Sequence, residues 1–252
     1  MADWSSDQYL KFKNQRTQPT IDLVARIKGQ NPSTIADIGC GPGNSTAVLK
    51  RYFPNADIVG IDNSPDMINK AQKEHPDIKF LLCDALDLQA GYDLIFSNAC
   101  LQWIPDHKTL IPTLMRKLNK NGVLAVQMPM NEQEPLYKII DDVAAQPKWG
   151  FAGVELPPNK TLTPLEYFDI LSACSSAFDM WEIKYYHPLA DHKALVEWVK
   201  GSRLRPYLDF LGRDAGEEFE NEIISMAQKV YPIRSDGSVV FGFRRFFFTA
   251  KR

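Results

Sequence analysis

The chain predicts an α/β fold, a mostly parallel sheet with helices on both faces. Short apolar runs rich in β-branched residues alternate with longer amphipathic runs from residue 34 to 128. A glycine-rich turn joins the first apolar run directly to the first amphipathic one, and an acidic residue closes the second apolar run. Strand–helix alternation of this length is the pattern of right-handed crossovers over a parallel sheet.

The elements follow in order. Ile21, Val24, Ala25 and Ile27 stand at helical spacing within 17–28, and Gly29 stops that helix. Strands are expected at 34–38, 57–61, 78–82, 92–97 and 122–128, since these runs carry few charges, as buried parallel strands should. Helices are expected at 44–53, 65–74, 107–118 and 135–145, and Asn121-Gly122 is the turn that leads into the fifth strand. Beyond residue 128, Pro129, Pro135, Pro147, Pro157, Pro158 and Pro164, together with Gly150 and Gly153, read as a loop-rich excursion rather than core. A long amphipathic strand from Phe178 to His187 follows, then helical segments near 191–200 and 214–230, then a β-prone run from Val239 to Phe248. The last two strands therefore read as a hairpin interrupted by a helical cap. No internal repeat or low-complexity segment is present.

Composition narrows the classes. A chain of 252 residues, 44% apolar and 24% charged, suits one α/β domain with an elaboration or two small domains. A net charge of −2 leaves no electrostatic footprint for nucleic acid or an anionic membrane. The N-terminus lacks a basic segment followed by an apolar core, so no secretory signal is expected. No apolar run approaches the roughly 20 residues that span a bilayer. Cys40, Cys83, Cys100 and Cys174 stand singly and the four histidines are scattered, so neither a disulfide framework nor a metal site is expected, and the default is a cytoplasmic, metal-free protein.

The chemistry-bearing motif is Asp37-Ile38-Gly39-Cys40-Gly41-Pro42-Gly43. Three glycines at alternate positions let the backbone pass very close to a ligand, and Asp62, at the end of Ile58-Val59-Gly60-Ile61, stands where a ribose needs a hydroxyl acceptor. A dinucleotide fingerprint wants a sixth-position glycine, and that position is Asn44. Asp37 would repel a pyrophosphate but can orient, directly or through water, the amino group of an amino-acid-bearing ligand. The combination favours S-adenosylmethionine over a nicotinamide dinucleotide.

Motif and strand pattern up to residue 128 resemble class I S-adenosylmethionine-dependent methyltransferases. The resemblance implies a Rossmann-like, seven-stranded, mostly parallel sheet whose last strand, 239–249, runs antiparallel between strands five and six. It implies that Gly39, Cys40 and Gly41 line the methionine portion of the cofactor, beside Asp37 and Asn44. It places Asp62 on the ribose hydroxyls with Asn63 and Met67 beside the adenosine, and Asp84 and Ala85 on the adenine. Asn98, Ala99, Gln102 and Trp103 would bound the cofactor near its sulfonium. Asp62 and Asp84 each follow an apolar run, so their carboxylates can leave the sheet and accept hydroxyl or amine protons. Asp84 reads equally as a helix N-cap, and the two roles can coexist. Cys40 reads as a small packing residue rather than a nucleophile.

Further stretches narrow the resemblance. Trp4, Tyr9-Leu10, Phe12, Arg16 and Pro19, then Asn98–His107, Ala125–Pro129, Tyr185-Tyr186-His187 and Leu204-Arg205-Pro206-Tyr207-Leu208, resemble the trans-aconitate 2-methyltransferases over nearly the whole chain. The resemblance implies one methyltransferase domain over 1–252, with a cofactor core at 30–129 and substrate caps at 130–165 and 189–237. It implies O-methylation of a small polycarboxylate, most simply trans-aconitate, with S-adenosylhomocysteine as the other product. A carboxylate is ionised near neutral pH, so no catalytic general base is expected. Cations must hold the carboxylates that do not react. Arg205 is the first candidate because a guanidinium binds a carboxylate in bidentate fashion, with Arg16, Arg203 and one of Arg244 or Arg245 behind it. Adjacent strand residues face opposite ways, so only one of that last pair can enter a given pocket. Tyr185, Tyr186 and Tyr207 could wall the pocket or pack the insertion, Trp198 reads as packing, and His187 could donate to a carboxylate or be structural. Asp106 before His107 reads as a helix cap. Rival readings are an O-methyltransferase of another small or carrier-bound acid, and a protein that binds the cofactor without turnover.

Overall fold

The computed structural model describes residues 13–154 and 161–252, with side chains from residue 17 onward. Seven strands form one sheet: β1 (Thr34–Ile38), β2 (Asp57–Asp62), β3 (Lys79–Leu82), β4 (Tyr92–Asn98), β5 (Leu118–Pro129), β6 (Ala177–Leu189) and β7 (Val239–Lys251). Their order is β3-β2-β1-β4-β5-β7-β6. β1 to β5 run parallel, and β7 runs antiparallel to β5, with Gln127 opposite Phe247 and Pro129 opposite Arg245. This is the seven-stranded, mostly parallel sheet, with its last strand antiparallel between strands five and six, that the resemblance implies. The strand order reverses between β1 and β4, which opens a crevice beyond their carboxyl ends.

The helices are α1 (Lys13–Ile27), α2 (Asn44–Tyr52), α3 (Pro65–Glu74), α4 (His107–Lys117), α5 (Pro135–Ala144), α6 (Pro164–Cys174), α7 (His192–Lys200) and α8 (Arg205–Val230). The chain divides into two compact units. One comprises Met1–Pro129, Asn159–Ile183 and Arg245–Arg252, the other Met130–Pro158 and Lys184–Arg244.

The first unit is built around β1, β4 and β5, whose Ile35, Ala36, Ile95, Phe96, Leu124, Ala125 and Val126 have no exposed surface. On β7, successive phenylalanines serve opposite faces of the sheet. Phe246 and Phe248 pack on Tyr167 of α6 at 5.2 and 5.9 Å between centroids, while Phe247 stacks on Trp181 of β6 at 5.3 Å. Tyr167 is fully buried, its hydroxyl within short hydrogen-bonding reach of His107 Nδ1. His107 Nε2 lies 2.8 Å from Leu101 O and must donate to it, so neutral His107 accepts at Nδ1. Burial lowers the pKa of His107 and favours that neutral form.

In the second unit Trp149, Phe151 and Tyr207 gather on Phe219 of α8, with centroids 5.1 to 5.7 Å away. The Tyr231 hydroxyl accepts from Leu136 N at 2.9 Å and donates to Glu134 at 3.1 Å. Glu134 also meets Lys184 at 3.5 Å. Burial beside the Glu134 carboxylate holds the Tyr231 phenol neutral.

Three elements depart from the sequence expectation. Helix α6 begins at Pro164, which was expected to break structure, because a proline at the first helical position removes an N–H that has no intrahelical partner anyway. Thr163 and Glu166 close a capping box around that start, with Thr163 N donating to Glu166 Oε2 at 3.0 Å. Thr163→Ala should therefore lower stability by about 1 kcal/mol in urea unfolding, and an unchanged midpoint would contradict the cap. Strand β5 starts at Leu118 and passes through the Asn121 turn, whose φ of 65° is accommodated by a register shift against β4. Helix α8 starts at Arg205 rather than 214, and Gly212, at φ 75° and ψ −170°, interrupts it.

Candidate active site

The turn after β1 closes on itself through glycine. Gly39 and Gly41 have φ of 68° and 53°, and the N–H groups of Gly39 and Cys40 both donate to Ile61 O at 2.8 and 3.0 Å, which ties the turn to β2. A Cβ on Gly39 would lie 2.2 Å from Cys100 Sγ and 2.3 Å from Cys100 Cβ, so only glycine lets this turn approach the segment after β4. A Cβ on Gly41 would meet nothing within 4 Å, which leaves its outer face open to a ligand.

Asp37 sits beneath this turn with no exposed surface. Its Oδ2 accepts from Ser45 Oγ and Thr46 Oγ1, each at 2.6 Å, while Oδ1 is buried without a hydrogen-bond partner. Burial is the largest cause of its rise from 3.8 to about 7, only partly offset by the two hydroxyls, and Asp62 adds to the rise. Asp62, at the end of β2, accepts from Gly41 N at 3.0 Å and Ser64 N at 2.9 Å. Burial raises its pKa too, and the backbone N–H groups oppose the rise. Asn63 is exposed beside it, and Met67 is buried in the first turn of α3. Asp84 is exposed after β3 and caps a 3₁₀ turn, accepting from Leu86 N at 3.0 Å, while Ala85 is buried. Cys40 and Cys100 have thiol pKa values pushed far up by burial, which removes thiolate chemistry from the site.

After β4 the backbone turns sharply at Ala99, with φ 55° and its N–H on Gln127 O at 2.9 Å. Gln102 donates to Ala99 O at 2.7 Å, which orients its amide and leaves Oε1 buried without a partner. Asn98 Oδ1 is likewise buried and without one. Trp103 is 40% exposed in the same short turn. A narrow pocket lined by Thr17, Thr20, Gly39, Cys40, Asn44, Ser45 and Asn98 opens at the carboxyl ends of β1 and β4. Three orphaned buried oxygens around a glycine turn fit a ligand that brings hydrogen-bond donors, as the amine and ammonium groups of S-adenosylmethionine do. Among the described residues no group of His, Cys, Asp and Glu could hold a metal ion.

In the second unit Arg205 opens α8 and meets Asp209 at 3.6 Å. Arg203 is an ion-pair partner of Asp141 and lies over the rings of Tyr137 and Tyr207 at 5.5 and 6.0 Å. The Tyr207 hydroxyl donates to Asp141 at 3.4 Å, and burial raises its pKa. Tyr186 is 67% exposed, whereas His187 is buried and stacked on Trp198 at 4.5 Å and Tyr185 at 6.1 Å. The Arg16 side chain lies outside the described residues. No described helix is long and apolar enough to cross a membrane.

A family profile for a methyltransferase domain matches residues 31–190. Trans-aconitate 2-methyltransferases of Afipia carboxidovorans and Methylobacterium nodulans are 42% and 41% identical to this chain, each over its whole length and over 100% and 99% of their own. The Escherichia coli enzyme of that name is 40% identical over the whole chain and 99% of its own length. The chain belongs to the trans-aconitate 2-methyltransferase family. Among solved structures it is similar in fold to the YcgJ protein of Bacillus subtilis, with a TM-score of 0.63 at 13% identity over 93% of this chain and 98% of that one. Haemonchus contortus phosphoethanolamine N-methyltransferase 2, in complex with S-adenosyl-L-methionine, has a TM-score of 0.53 at 17% identity, covering 93% of this chain and 52% of that one.

For a member of the trans-aconitate 2-methyltransferase family, two parts of this site are silent in sequence reasoning. Thr17 and Thr20 reach the pocket from α1, a helix whose apolar stripe gives no reason to examine its polar one. Ser45 and Thr46 look like helix-starting residues and instead hold the Asp37 carboxylate. The carboxylate needs both hydroxyls because no cation neutralises it within the turn.

Proposed function

We propose that this chain transfers the methyl group of S-adenosylmethionine to a carboxylate of trans-aconitate, giving a methyl ester and S-adenosylhomocysteine. Identity of 40–42% with enzymes named for that acid, over the full chain, carries the reading. When bound, the cofactor supplies an electrophilic methyl group on a sulfonium. The acceptor carboxylate is already ionised, so the protein has no proton to remove and acts by alignment, where positioning is worth roughly 7–11 kcal/mol.

In this reading Gly39, Cys40, Gly41, Asn44 and Asp37 hold the amino-acid end of the cofactor, with the free Asp37 oxygen taking the ammonium group. Asp62, Asn63 and Met67 hold the ribose side, Asp84 and Ala85 the adenine, and Asn98, Ala99, Gln102 and Trp103 the region near the sulfonium. The residues taken to bind the acid are Arg205, Tyr207, Tyr186, His187 and Arg16. A metabolite-sized substrate, four free cysteines and a net charge of −2 favour the cytoplasm and a partner that is neither membrane nor nucleic acid.

Incubation with methyl-labelled cofactor and trans-aconitate should yield a base-labile monomethyl ester by mass spectrometry; label in a base-stable product would contradict ester formation. Arg205→Ala should raise the KM for the acid by roughly 30-fold and leave that for the cofactor within a factor of two. Equal changes in both constants would remove Arg205 from the acid-binding role.

A further inference from the structure

The amino ends of β4 and β5 lie at the opposite end of the sheet from the glycine turn. β4 runs from Tyr92 to Asn98, so its two ends are roughly 20 Å apart at about 3.3 Å per residue. At that amino end the first unit holds an open cleft of about 520 Å³, lined by Ala90, Gly91, Leu118, Asn119, Lys120 and Arg252. The lining carries two full positive charges, on the exposed residues Lys120 and Arg252, and no carboxylate side chain. That is a local excess of cation in a chain whose net charge is −2. Gly91, at φ 112°, presents bare backbone to the cleft, and a Cβ added there would meet nothing within 4 Å.

Arg252 is held in place without being neutralised. Its N–H donates to Gly122 O at 2.9 Å, which fastens its backbone to β5. Its Nη1 donates to Arg116 O at 2.9 Å and to Leu118 O, carbonyls at the end of α4 and the start of β5. Those two bonds use both hydrogens of Nη1 and fix the guanidinium plane. Nε and Nη2 meet no acceptor among the described residues, and together they form the parallel fork that fits a carboxylate or phosphate. Closing off two carbonyls takes one nitrogen, so the anchor leaves a pre-organised fork still open, which lowers the cost of ordering it on a ligand. Lys120 likewise makes no ion pair among the described residues. Asp93, the carboxylate that Asn119 touches, is engaged elsewhere. It accepts from Asn119 Nδ2 and Ser33 N, each at 2.8 Å, and from Thr34 N at 3.2 Å.

We infer that this cleft is a binding site for a small polyanion, with one anionic oxygen group on the Arg252 fork and a second on the Lys120 ammonium. Phosphate and carboxylate groups share the chemistry that this pair of cations recognises. A monoanion meets only one of the two, so the site favours ligands with at least two such groups. It lies at the far end of the strands from the cofactor pocket and does not depend on which acid the chain methylates.

Calorimetry on the full chain with pyrophosphate and with citrate tests the site. At least one of the two should bind one per chain with a Kd below about 1 mM at about 0.1 M salt, and more weakly as salt rises. Lys120→Glu reverses one charge of the cleft, and Ala90→Glu adds a carboxylate to its wall; both positions are exposed, and neither touches the Arg252 anchor. Each should weaken that binding by about 10-fold or more and leave the unfolding midpoint and the affinity for S-adenosylhomocysteine unchanged. Arg252→Lys, which keeps the charge and loses the fork, should fall between wild type and Lys120→Glu. Variant-sensitive binding of pyrophosphate alone identifies a phosphate ligand, of citrate alone a polycarboxylate, and of both the shared chemistry; each supports the site. Binding of neither probe, or binding that Lys120→Glu leaves within twofold, would overturn it. None of these readouts uses methyl transfer, so the proposed reaction is tested separately.

Discussion

Asp37→Asn should abolish useful cofactor affinity and yet make the cofactor-free protein more stable above pH 7. The carboxylate is fully buried, with one oxygen on two hydroxyls and the other orphaned. Its pKa is raised from 3.8 to about 7. A carboxyl held higher in the folded than in the unfolded state contributes stability that is fully present below pH 3.8 and is lost as pH rises through about 7. The upper limit of that loss is roughly 4 kcal/mol at about 1.4 kcal/mol per pKa unit. Asparagine does not ionise, so the stability difference between variant and wild type should grow from near zero in acid to roughly 1–4 kcal/mol at pH 8. Cofactor affinity should move the opposite way. The ammonium group of the ligand pairs with the ionised carboxylate, so wild-type affinity falls as pH drops below about 7. The variant should bind on the order of 100-fold more weakly at pH 8, with little pH dependence. Urea melts and cofactor titrations between pH 4 and 8.5 check both halves. A variant that is less stable at every pH and binds the cofactor normally would contradict the role of this carboxylate.

Gly39→Ala should be the most destabilising small substitution in the first unit. Its φ of 68° is strained for an L-residue, and the added methyl would lie 2.3 Å from Cys100 Cβ, which no side-chain rotation can move. Backbone strain and overpacking together should cost roughly 2–5 kcal/mol. Cys100→Gly in the same chain removes the clashing atoms, so the double variant should recover the packing part and retain about 1 kcal/mol of backbone strain. Calorimetric melting of the four proteins of this cycle gives the coupling directly. Additive effects would show that the turn and the segment after β4 do not make the close approach.

Much of this architecture was legible because buried parallel strands have little freedom in composition. The runs at 34–38 and 65–74 match β1 and α3 to the residue, since apolar β-branched runs and a Ser-Pro helix start are unambiguous locally. Helix α6 was not legible because its opening proline, Pro164, and its modest amphipathicity resemble a loop, and its key residue, Tyr167, is buried by a strand far away in sequence. The position of β7 between β5 and β6 follows from a family resemblance and not from local pattern, as pairing across the sheet leaves no local trace. The glycine turn and the acid after β2 suggest a nucleoside site through spacing, whereas an adenine role for Asp84 after β3 comes only from the family resemblance. Ser45, Thr46, Thr17 and Thr20 give no such signal, because their partners come from tertiary packing.

Competition among acids tests the functional assignment most directly. With saturating labelled S-adenosylmethionine, kcat/KM should be measured for trans-aconitate, cis-aconitate, citrate and malonate under identical conditions. The account predicts that trans-aconitate is methylated with the highest kcat/KM of the four, giving a base-labile ester. Equal or higher kcat/KM for any of the other three, or transfer to none of them despite tight cofactor binding, would contradict it.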